Sequence, residues 1–203
     1  MDSISHDEEV AMQNTPAESE LVRLPAMHPV LFAQTLRDYA ARCPEDQTIV
    51  EVGAWLGAGT YHLADASTQP LHVFDNWLAK AGEVVKAQDQ GEFGLIVGES
   101  YLHVVQHNLR KFGDQITYNQ GDLRRAEYMG GPIGLYVDDA SKHSIETILP
   151  RFEKHFAPGC ILILMDYYWH RCGPQRDFIE ASEYEFVERP DTYKTVAIWR
   201  VPE

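Results

Sequence analysis

The chain has 203 residues and a formal net charge of −14, and 44% of its residues are hydrophobic. This length is sufficient for one well-cored domain, no apolar run approaches the roughly 20 residues that span a bilayer, and so acidic a surface repels nucleic-acid backbones. Three scattered cysteines and an acidic N-terminus without an apolar stretch indicate neither a disulfide framework, nor zinc spacing, nor a secretory signal, so we expect a cytoplasmic protein that acts on a small molecule, with no nucleic-acid or membrane partner.

The first twenty residues are acidic and contain neither Lys nor Arg. This composition predicts a flexible tail, or a lid that orders on binding, over residues 1–20. One domain is expected over residues 21–203. Its first predicted helix runs from Pro29 to Cys43 and is stopped by Pro44.

Strand-like and helix-like segments then alternate. The predicted strands are Gln47–Val52, Leu71–Phe74, Gln115–Asn119, Ile133–Asp138 and Gly159–Met165. The predicted helices are Thr60–Ala66, Trp77–Gln88, Ser100–Phe112, Ser144–Phe156 and Pro174–Ala181. Pro150 is expected to end or bend its helix. The alternation predicts βαβ crossovers and a parallel sheet.

Two consecutive strands break this alternation at the C-terminus. They are predicted at Tyr184–Glu188 and Thr192–Val201, with a turn at residues 189–191. Five parallel strands and this hairpin predict an α/β fold. We expect a doubly wound, mostly parallel seven-stranded sheet, Rossmann-like, with a C-terminal antiparallel hairpin.

A glycine-rich turn follows the first predicted strand. Glu51 ends a β-branched segment, and Gly53, Gly57 and Gly59 follow with the spacing G-x-x-x-G-x-G. Gly53 is expected to let the backbone approach a ligand closely. A carboxylate at this point repels phosphates but accepts hydrogen bonds from hydroxyl or ammonium groups. The turn therefore suits a nucleoside that bears an amino acid better than the pyrophosphate of a nicotinamide dinucleotide, which disfavours a dehydrogenase.

Polar residues follow every predicted parallel strand. They are Glu51 and Gly53, then Asp75, then Gly121 and Asp122, then Asp138 and Asp139, and finally Asp166, Tyr167 and Tyr168. Ligands of open α/β sheets bind beyond the carboxyl ends of the strands, so these residues are site candidates. A carboxylate at Asp75 can accept both hydroxyl protons of a ribose, and Asp122 can accept from an adenine amino group. The indole of Trp77 either stacks on the ligand or lies in the core.

These motifs resemble a known family. The segment Glu51–Gly57 looks like the E-x-G-x-x-x-G motif of class I S-adenosylmethionine-dependent methyltransferases, and Asp75 matches their second-strand acidic residue. The resemblance extends from about Leu21 to Val201 and is greatest for the branch that contains macrocin O-methyltransferase and catechol-type O-methyltransferases. It implies S-adenosylmethionine as cofactor and a small-molecule hydroxyl as acceptor. The implied cofactor-binding residues are Glu51, Gly53, Ala54, Gly57, Thr60, Asp75, Asn76, Trp77, Asp122 and Asp138.

The same resemblance implies a divalent metal, usually magnesium. Members of the branch place an acidic residue after the fourth strand and an acidic pair after the fifth. Asp139, or its neighbour Asp138, takes the first place, and Asp166 takes one place of the pair, but Met165 occupies the other. A thioether is a poor magnesium ligand. Asp139 and Asp166 are therefore the candidate metal ligands, and metal dependence stays open.

A candidate general base follows from the resemblance as well. Asp139-Ala140-Ser141-Lys142 looks like the D-x-x-K of catechol-type enzymes, which implies Lys142 as the base beside Asp139. His143 is the competing base, because an imidazole titrates near neutral pH. A non-catalytic or regulatory domain that retains the fold is the alternative function, motivated by Met165. A homodimer stays open.

Overall fold

The computed structural model describes Leu24, Ala26 and residues 32–92, 94–140, 144–191 and 195–203. The predicted tail at residues 1–20 and both candidate bases, Lys142 and His143, lie outside these described residues. Those expectations therefore stay predictions. In the part of the chain that is described, no helix combines the length and the apolar character needed to cross a membrane.

Within the described residues, seven strands form one sheet in the order β3-β2-β1-β4-β5-β7-β6. Their bounds are β1 Thr48–Val52, β2 Leu71–Asp75, β3 Ile116–Gln120, β4 Ile133–Asp138, β5 Phe156–Leu164, β6 Glu185–Glu188 and β7 Ala197–Arg200. The first five strands are parallel, and β7 is antiparallel to both β5 and β6. The predicted fold is confirmed, with β7 inserted between β5 and β6.

Helices cover both faces of this sheet. The described α-helices are α1 Phe32–Ala41, α2 Ala58–Ala66, α3 Ala81–Asp89, α4 Leu102–Leu109, α5 Ile145–Glu153 and α6 Gly173–Glu180. In one buried cluster, side chains of α1, α2 and α4 pack on strand residues such as Ile49. In the other, side chains of α5 and α6 pack on strand residues such as Val50, the next residue of β1. Successive strand side chains point to opposite faces, and β1 is buried on both.

Most predicted boundaries differ from the observed ones by one or more residues, and two of these differences and the effect of Pro150 are informative. Helix α3 begins at Ala81 instead of Trp77, because Trp77 has a φ of 43° and cannot join a right-handed helix. Strand β5 begins three residues early, at Phe156, and its pairing with β4 shifts register beyond Ile133. Pro150 does not end its helix. It is exposed, so water can solvate the carbonyl that its missing N–H leaves unbonded.

The strand register places the candidate site. Val52 is level with Phe74 on β2 and with Asp138 on β4, which is level with Leu164 on β5. The carboxyl ends of these four strands therefore form one row. The chain runs from β1 outward to β2 on one side and to β4 on the other, so the strand order reverses at β1. Such a switch point is where open α/β sheets form a ligand crevice.

Candidate functional site

The glycine loop between β1 and α2 has an unusual backbone. Gly53, Trp55 and Gly57 have φ angles of 91°, 45° and 88°, and none of the residues between them has a positive φ. A positive φ at a bulky residue such as Trp55 is uncommon, and such strain concentrates at functional sites. Alternating backbone conformations of this kind turn successive N–H groups toward one concavity. Within the loop, however, the N–H groups of Gly53, Trp55 and Gly57 already donate to the carbonyl of Phe74, the carboxylate of Asp75 and the carbonyl of Ala54.

Because Gly53 and Gly57 have no side chains, other parts of the protein pack directly against this loop. A Cβ on Gly53 would lie 2.8 Å from the Cβ of Ala140, and one on Gly57 would lie 3.0 Å from Cδ1 of Leu109. The expectation that Gly53 leaves space for a ligand is corrected by this contact, since Ala140 fills the space. Gly53 instead allows the loop after β4 to pack directly on the glycine loop.

Asp75 ties the glycine loop to the end of β2. Its carboxylate accepts hydrogen bonds from the backbone N–H of Trp55 at 3.1 Å and from that of Trp77 at 2.9 Å. Burial nevertheless raises the pKa of Asp75 above its usual value. The pKa of the buried Tyr101 hydroxyl is also raised, first by burial and then by the charges of Asp75 and Glu83. Tyr101 thus lies near this carboxylate, which its sequence position did not indicate.

Glu51 is a buried carboxyl group at the end of β1. It is 4% exposed and accepts a hydrogen bond from the hydroxyl of Thr60, which is fully buried in α2. Burial, and then the negative charges of Asp139 and Asp75, together raise the pKa of Glu51 to about 8 against the opposing effect of the Thr60 hydrogen bond. At neutral pH, Glu51 is therefore mostly protonated, and it is poised to ionise when a cation approaches.

A cleft opens between these groups. Its interior is small: only about 20 Å³ can be occupied by the centre of a water-sized sphere, so the cleft must widen to admit a ligand. Its lining residues are Ala26, Leu36, Glu51, Gly53, Ala54, Trp55, Ala58, Gly59, Val137, Asp139 and Met165. Four sequence-predicted site residues, namely Glu51, Gly53, Ala54 and Asp139, meet here. Ala26, Leu36 and Trp55 were missed, because wall residues of this kind have no distinctive sequence pattern.

The Trp55 side chain adds an unsatisfied donor to the cleft. Its indole is 8% exposed, and the buried Nε1–H has no acceptor among the described residues. A buried donor without a partner destabilises a protein by about 1–3 kcal/mol. A ligand with an acceptor at this point would remove that penalty.

Two predicted cofactor contacts are corrected by burial. The Trp77 side chain is fully buried and packs edge-to-face on Tyr118 at 6.0 Å between ring centroids, so its indole belongs to the core and does not stack on a ligand. Asp138 is also fully buried and accepts hydrogen bonds from the hydroxyl of Tyr136 and the backbone N–H of Ala140, both at 3.0 Å. Tyr136 belongs to the cluster on the α5 face, whereas the cleft lies on the α1 face. Asp138 is therefore a structural carboxylate.

Two other predicted contacts, Asp122 and Asn76, lie outside the cleft lining. Both oxygens of Asp122 accept from Arg124, at 3.0 Å from Nε and 2.8 Å from Nη2, and Arg124 lowers the pKa of Asp122 to about 2. The exposed Asn76 accepts a hydrogen bond from the backbone N–H of Leu78 at 2.9 Å. Arg124 would compete with any adenine amino group at Asp122. The cofactor roles of both residues stay predictions.

The predicted metal position lacks a full set of oxygen ligands among the described residues. Met165 is 3% exposed and lines the cleft with Asp139, whereas Asp166 adopts a φ of 55° and accepts a hydrogen bond from the Thr195 hydroxyl at 3.4 Å. In the described portion of the chain, no group of three or more His, Cys, Asp or Glu side chains is placed to hold a metal ion. Magnesium requires near-octahedral oxygen coordination. These side chains do not fit it.

No protein-family model and no curated protein sequence matches the chain. Its fold is similar to that of CalS11, a calicheamicin methyltransferase, with 17% identity, a TM-score of 0.63 and coverage of 98% of this chain and 94% of that one. TomG from Streptomyces achromogenes, an O-methyltransferase of tomaymycin synthesis solved with S-adenosylmethionine, is 13% identical with a TM-score of 0.60, and the match covers 97% of this chain and 96% of that one. An rRNA methylase from Streptococcus thermophilus is 14% identical with a TM-score of 0.56, and the match covers 90% of this chain and 99% of that one. The methyltransferase fold is thus shared over nearly the whole chain, while the acceptors of these proteins differ.

Proposed function

We propose that the protein is an S-adenosylmethionine-dependent methyltransferase that methylates a hydroxyl oxygen of a small molecule. The observation that best supports this is the glycine loop with three positive φ angles, tied to Asp75 and placed at the switch point beside Glu51. When bound, S-adenosylmethionine supplies a methyl group made electrophilic by its sulfonium centre. The chain's own residues must bind it, orient the acceptor and exclude water.

Residues of the cleft, together with Asp75, which does not line it but bonds its Trp55, fit such a cofactor. Asp75 has lone pairs beyond those that accept from the two backbone amides, and a carboxylate can receive both hydroxyls of a ribose. Glu51 lies where an ammonium group would favour its ionised form. The buried N–H of Trp55 requires an acceptor, which the carboxylate of an amino acid provides. A nucleoside attached to an amino acid satisfies all three requirements.

The far wall of the cleft serves the acceptor. Asp139 is half-buried there and can accept the hydrogen of an acceptor hydroxyl. Met165 adds a thioether wall that keeps water out. Lys142 and His143 follow Asp139 closely in the chain, so each remains a candidate to take the hydroxyl proton. Positioning of the hydroxyl for in-line displacement accounts for most of the rate enhancement in this proposal.

A non-catalytic domain that binds the cofactor is the second candidate. It is motivated by Met165, which replaces an oxygen ligand where the resembling branch holds its metal. Turnover separates the two candidates, because both predict cofactor binding.

Calorimetric titration tests the proposal. S-adenosylhomocysteine is expected to bind, and NAD is expected to give no heat. Transfer of a labelled methyl group to a panel of hydroxylated compounds, with and without a chelator, then tests catalysis. Absence of binding by both S-adenosyl compounds would disprove the proposed function. Binding without transfer to any acceptor would favour the non-catalytic domain.

A further inference from the structure

The loop between β5 and α6 has a well-defined backbone. The guanidinium of Arg176 donates from Nη1 to the carbonyls of Tyr167 at 2.8 Å and of Trp169 at 2.9 Å. The N–H of Trp169 donates to the carbonyl of Asp166 at 2.7 Å, and that of Tyr168 donates to the carbonyl of Thr195 at 3.1 Å. These bonds hold the loop in place without burying all of its side chains.

Two aromatic rings of this loop face solvent. Tyr168 and Trp169 are each 37% exposed, whereas the preceding Tyr167 is 1% exposed. Each exposed ring supports an arginine, with Cζ of Arg189 4.4 Å from the centroid of Tyr168 and Cζ of Arg171 5.2 Å from that of Trp169. We call these four residues, Tyr168, Trp169, Arg171 and Arg189, the Arg–aromatic surface.

Both guanidinium groups of this surface are available to a ligand. Neither Arg171 nor Arg189 forms a side-chain hydrogen bond or an ion pair with the described residues. A guanidinium that packs on a ring keeps its edge N–H groups free for a planar anion, which can accept two parallel hydrogen bonds. Each of these two cations thus stacks on one of two consecutive exposed rings, on a chain of net charge −14.

The position of the surface relates it to the acceptor. The loop begins at Met165, which forms part of the cleft wall with Asp139. Thr195, which bonds Tyr168 through its carbonyl, also donates its hydroxyl to Asp166 at 3.4 Å. The loop that carries Tyr168 and Trp169 therefore starts at the β5 side of the cleft, where Met165 lines it.

We propose that the Arg–aromatic surface selects an acceptor that combines a planar ring with an anionic group such as a carboxylate, sulfate or phosphate. The ring packs against the exposed indole of Trp169, and the anion accepts hydrogen bonds from Arg171 and Arg189. This inference rests on the proposed function and names its substrate class. It also explains how an acidic protein attracts an anionic substrate, since the local positive charge offsets the overall repulsion.

A pair of probes that differ only in charge tests this inference. With saturating S-adenosylhomocysteine present, 3,4-dihydroxybenzoate and its uncharged analogue 3,4-dihydroxybenzamide are titrated by calorimetry. The benzoate is expected to bind about tenfold more tightly, the gain typical of a charge-assisted bidentate contact. The double variant R171Q/R189Q should lose this preference and bind the benzamide as the wild type does. Trp169→Ala should weaken both probes alike.

Arg42→Gln is the matched control. Its Cζ lies 5.7 Å from the ring centroid of Tyr39, so it removes the same charge from a similar stack, but just before β1 and away from the cleft. It should keep the preference for the benzoate. Equal affinity for both probes, binding of neither, or a preference that survives in R171Q/R189Q would each overturn the inference. Tighter binding of a short single-stranded RNA than of the benzoate would overturn it too. Failure of S-adenosylhomocysteine to bind would instead overturn the proposed function, so the two failures are distinguishable.

Discussion

The two halves of the carboxyl edge differ in burial and in the groups that they expose, and in the proposed function they bind the methyl donor and the acceptor respectively. The donor half, residues 48–60 and 71–77, is largely buried and offers carboxyl groups of raised pKa, such as Glu51 and Asp75. The acceptor half, residues 138–140 and 164–172, pairs Asp139 and Met165 with exposed rings on a well-bonded loop. A buried half depends on backbone geometry, whereas an exposed half depends on which side chains a loop displays. The first suits an unchanging cofactor, and the second suits a variable acceptor.

The largest expected effect is in the donor half. Gly53→Ala should lower the free energy of unfolding by about 2–5 kcal/mol, since a left-handed backbone disfavours a side chain by about 1–2 kcal/mol and overpacking adds about 1–3 kcal/mol. The new Cβ would meet Ala140 at 2.8 Å. Urea denaturation measures the change. Gly82→Ala is the control, because a Cβ at Gly82 meets nothing within 4 Å and should cause no loss. A similar loss in both variants would contradict the importance of the Gly53–Ala140 contact.

The metal question is tested in the acceptor half. Met165→Asp should lower the free energy of unfolding by about 2–3 kcal/mol without metal, because it buries a carboxylate near Asp139. Magnesium should then restore part of the loss in thermal denaturation, while it should leave the wild type unchanged. Met129→Asp is the control, since Met129 is 87% exposed and an exposed substitution changes stability by about 0.5 kcal/mol or less. A wild type stabilised by magnesium would show that the side chains present do form a metal site.

Asp75 tests cofactor binding by the donor half. Asp75→Ala should weaken the binding of S-adenosylhomocysteine by about 1–3 kcal/mol, the loss expected for charge-assisted hydrogen bonds to a ribose. It also frees the backbone N–H groups of Trp55 and Trp77, so affinity is measured by calorimetry well below the melting temperature. Asp89→Ala, an exposed change on α3, should bind normally. Unchanged affinity in Asp75→Ala would place the ribose elsewhere.

Per pH unit, the pH dependence of stability gives the smallest predicted effect. The folded-state pKa of Glu51 is raised from 4.5 to about 8, so its contribution to stability is complete below the lower value and is lost as pH rises through the upper one. In this window the slope is at most about 1.4 kcal/mol per pH unit. Glu51→Gln should remove this part of the slope, as urea denaturation across the window can show. An identical slope in the variant would mean that Glu51 titrates normally.

Much of the donor half could be predicted from the sequence. The β-branched strand, the spacing of Gly53 and Gly57, and the acidic residue Asp75 after the next strand are local patterns with a backbone cause. The strand alternation likewise predicted the sheet, because parallel strands require crossovers. The partner of Gly53 was not predictable. Ala140 is distant in sequence, and only the packing of two loops brings it there.

The acceptor half shows why the direction of a side chain was harder to predict from the sequence than the order of the elements. Asp138 and Asp139 are adjacent acidic residues, and the sequence treats them alike. The structure separates them: Asp138 bonds Tyr136 on one face, while Asp139 lines the cleft on the other. A shift of one residue moves a strand side chain to the opposite face. Trp77 illustrates the same limit, since its left-handed backbone turns the indole into the core.

The sequence by itself determined the element order, the glycine loop and the acidic strand ends, because helix periodicity, strand alternation and glycine spacing are properties of neighbouring residues. Only the tertiary structure decided which carboxyl groups share the cleft, which are protonated and which rings face solvent. Those properties arise from burial, and burial depends on chain segments far apart in sequence. Glu51 shows the difference: its position is a local pattern, but its pKa of about 8 follows first from burial and then from the charges of Asp139, which follows β4, and Asp75, which ends β2.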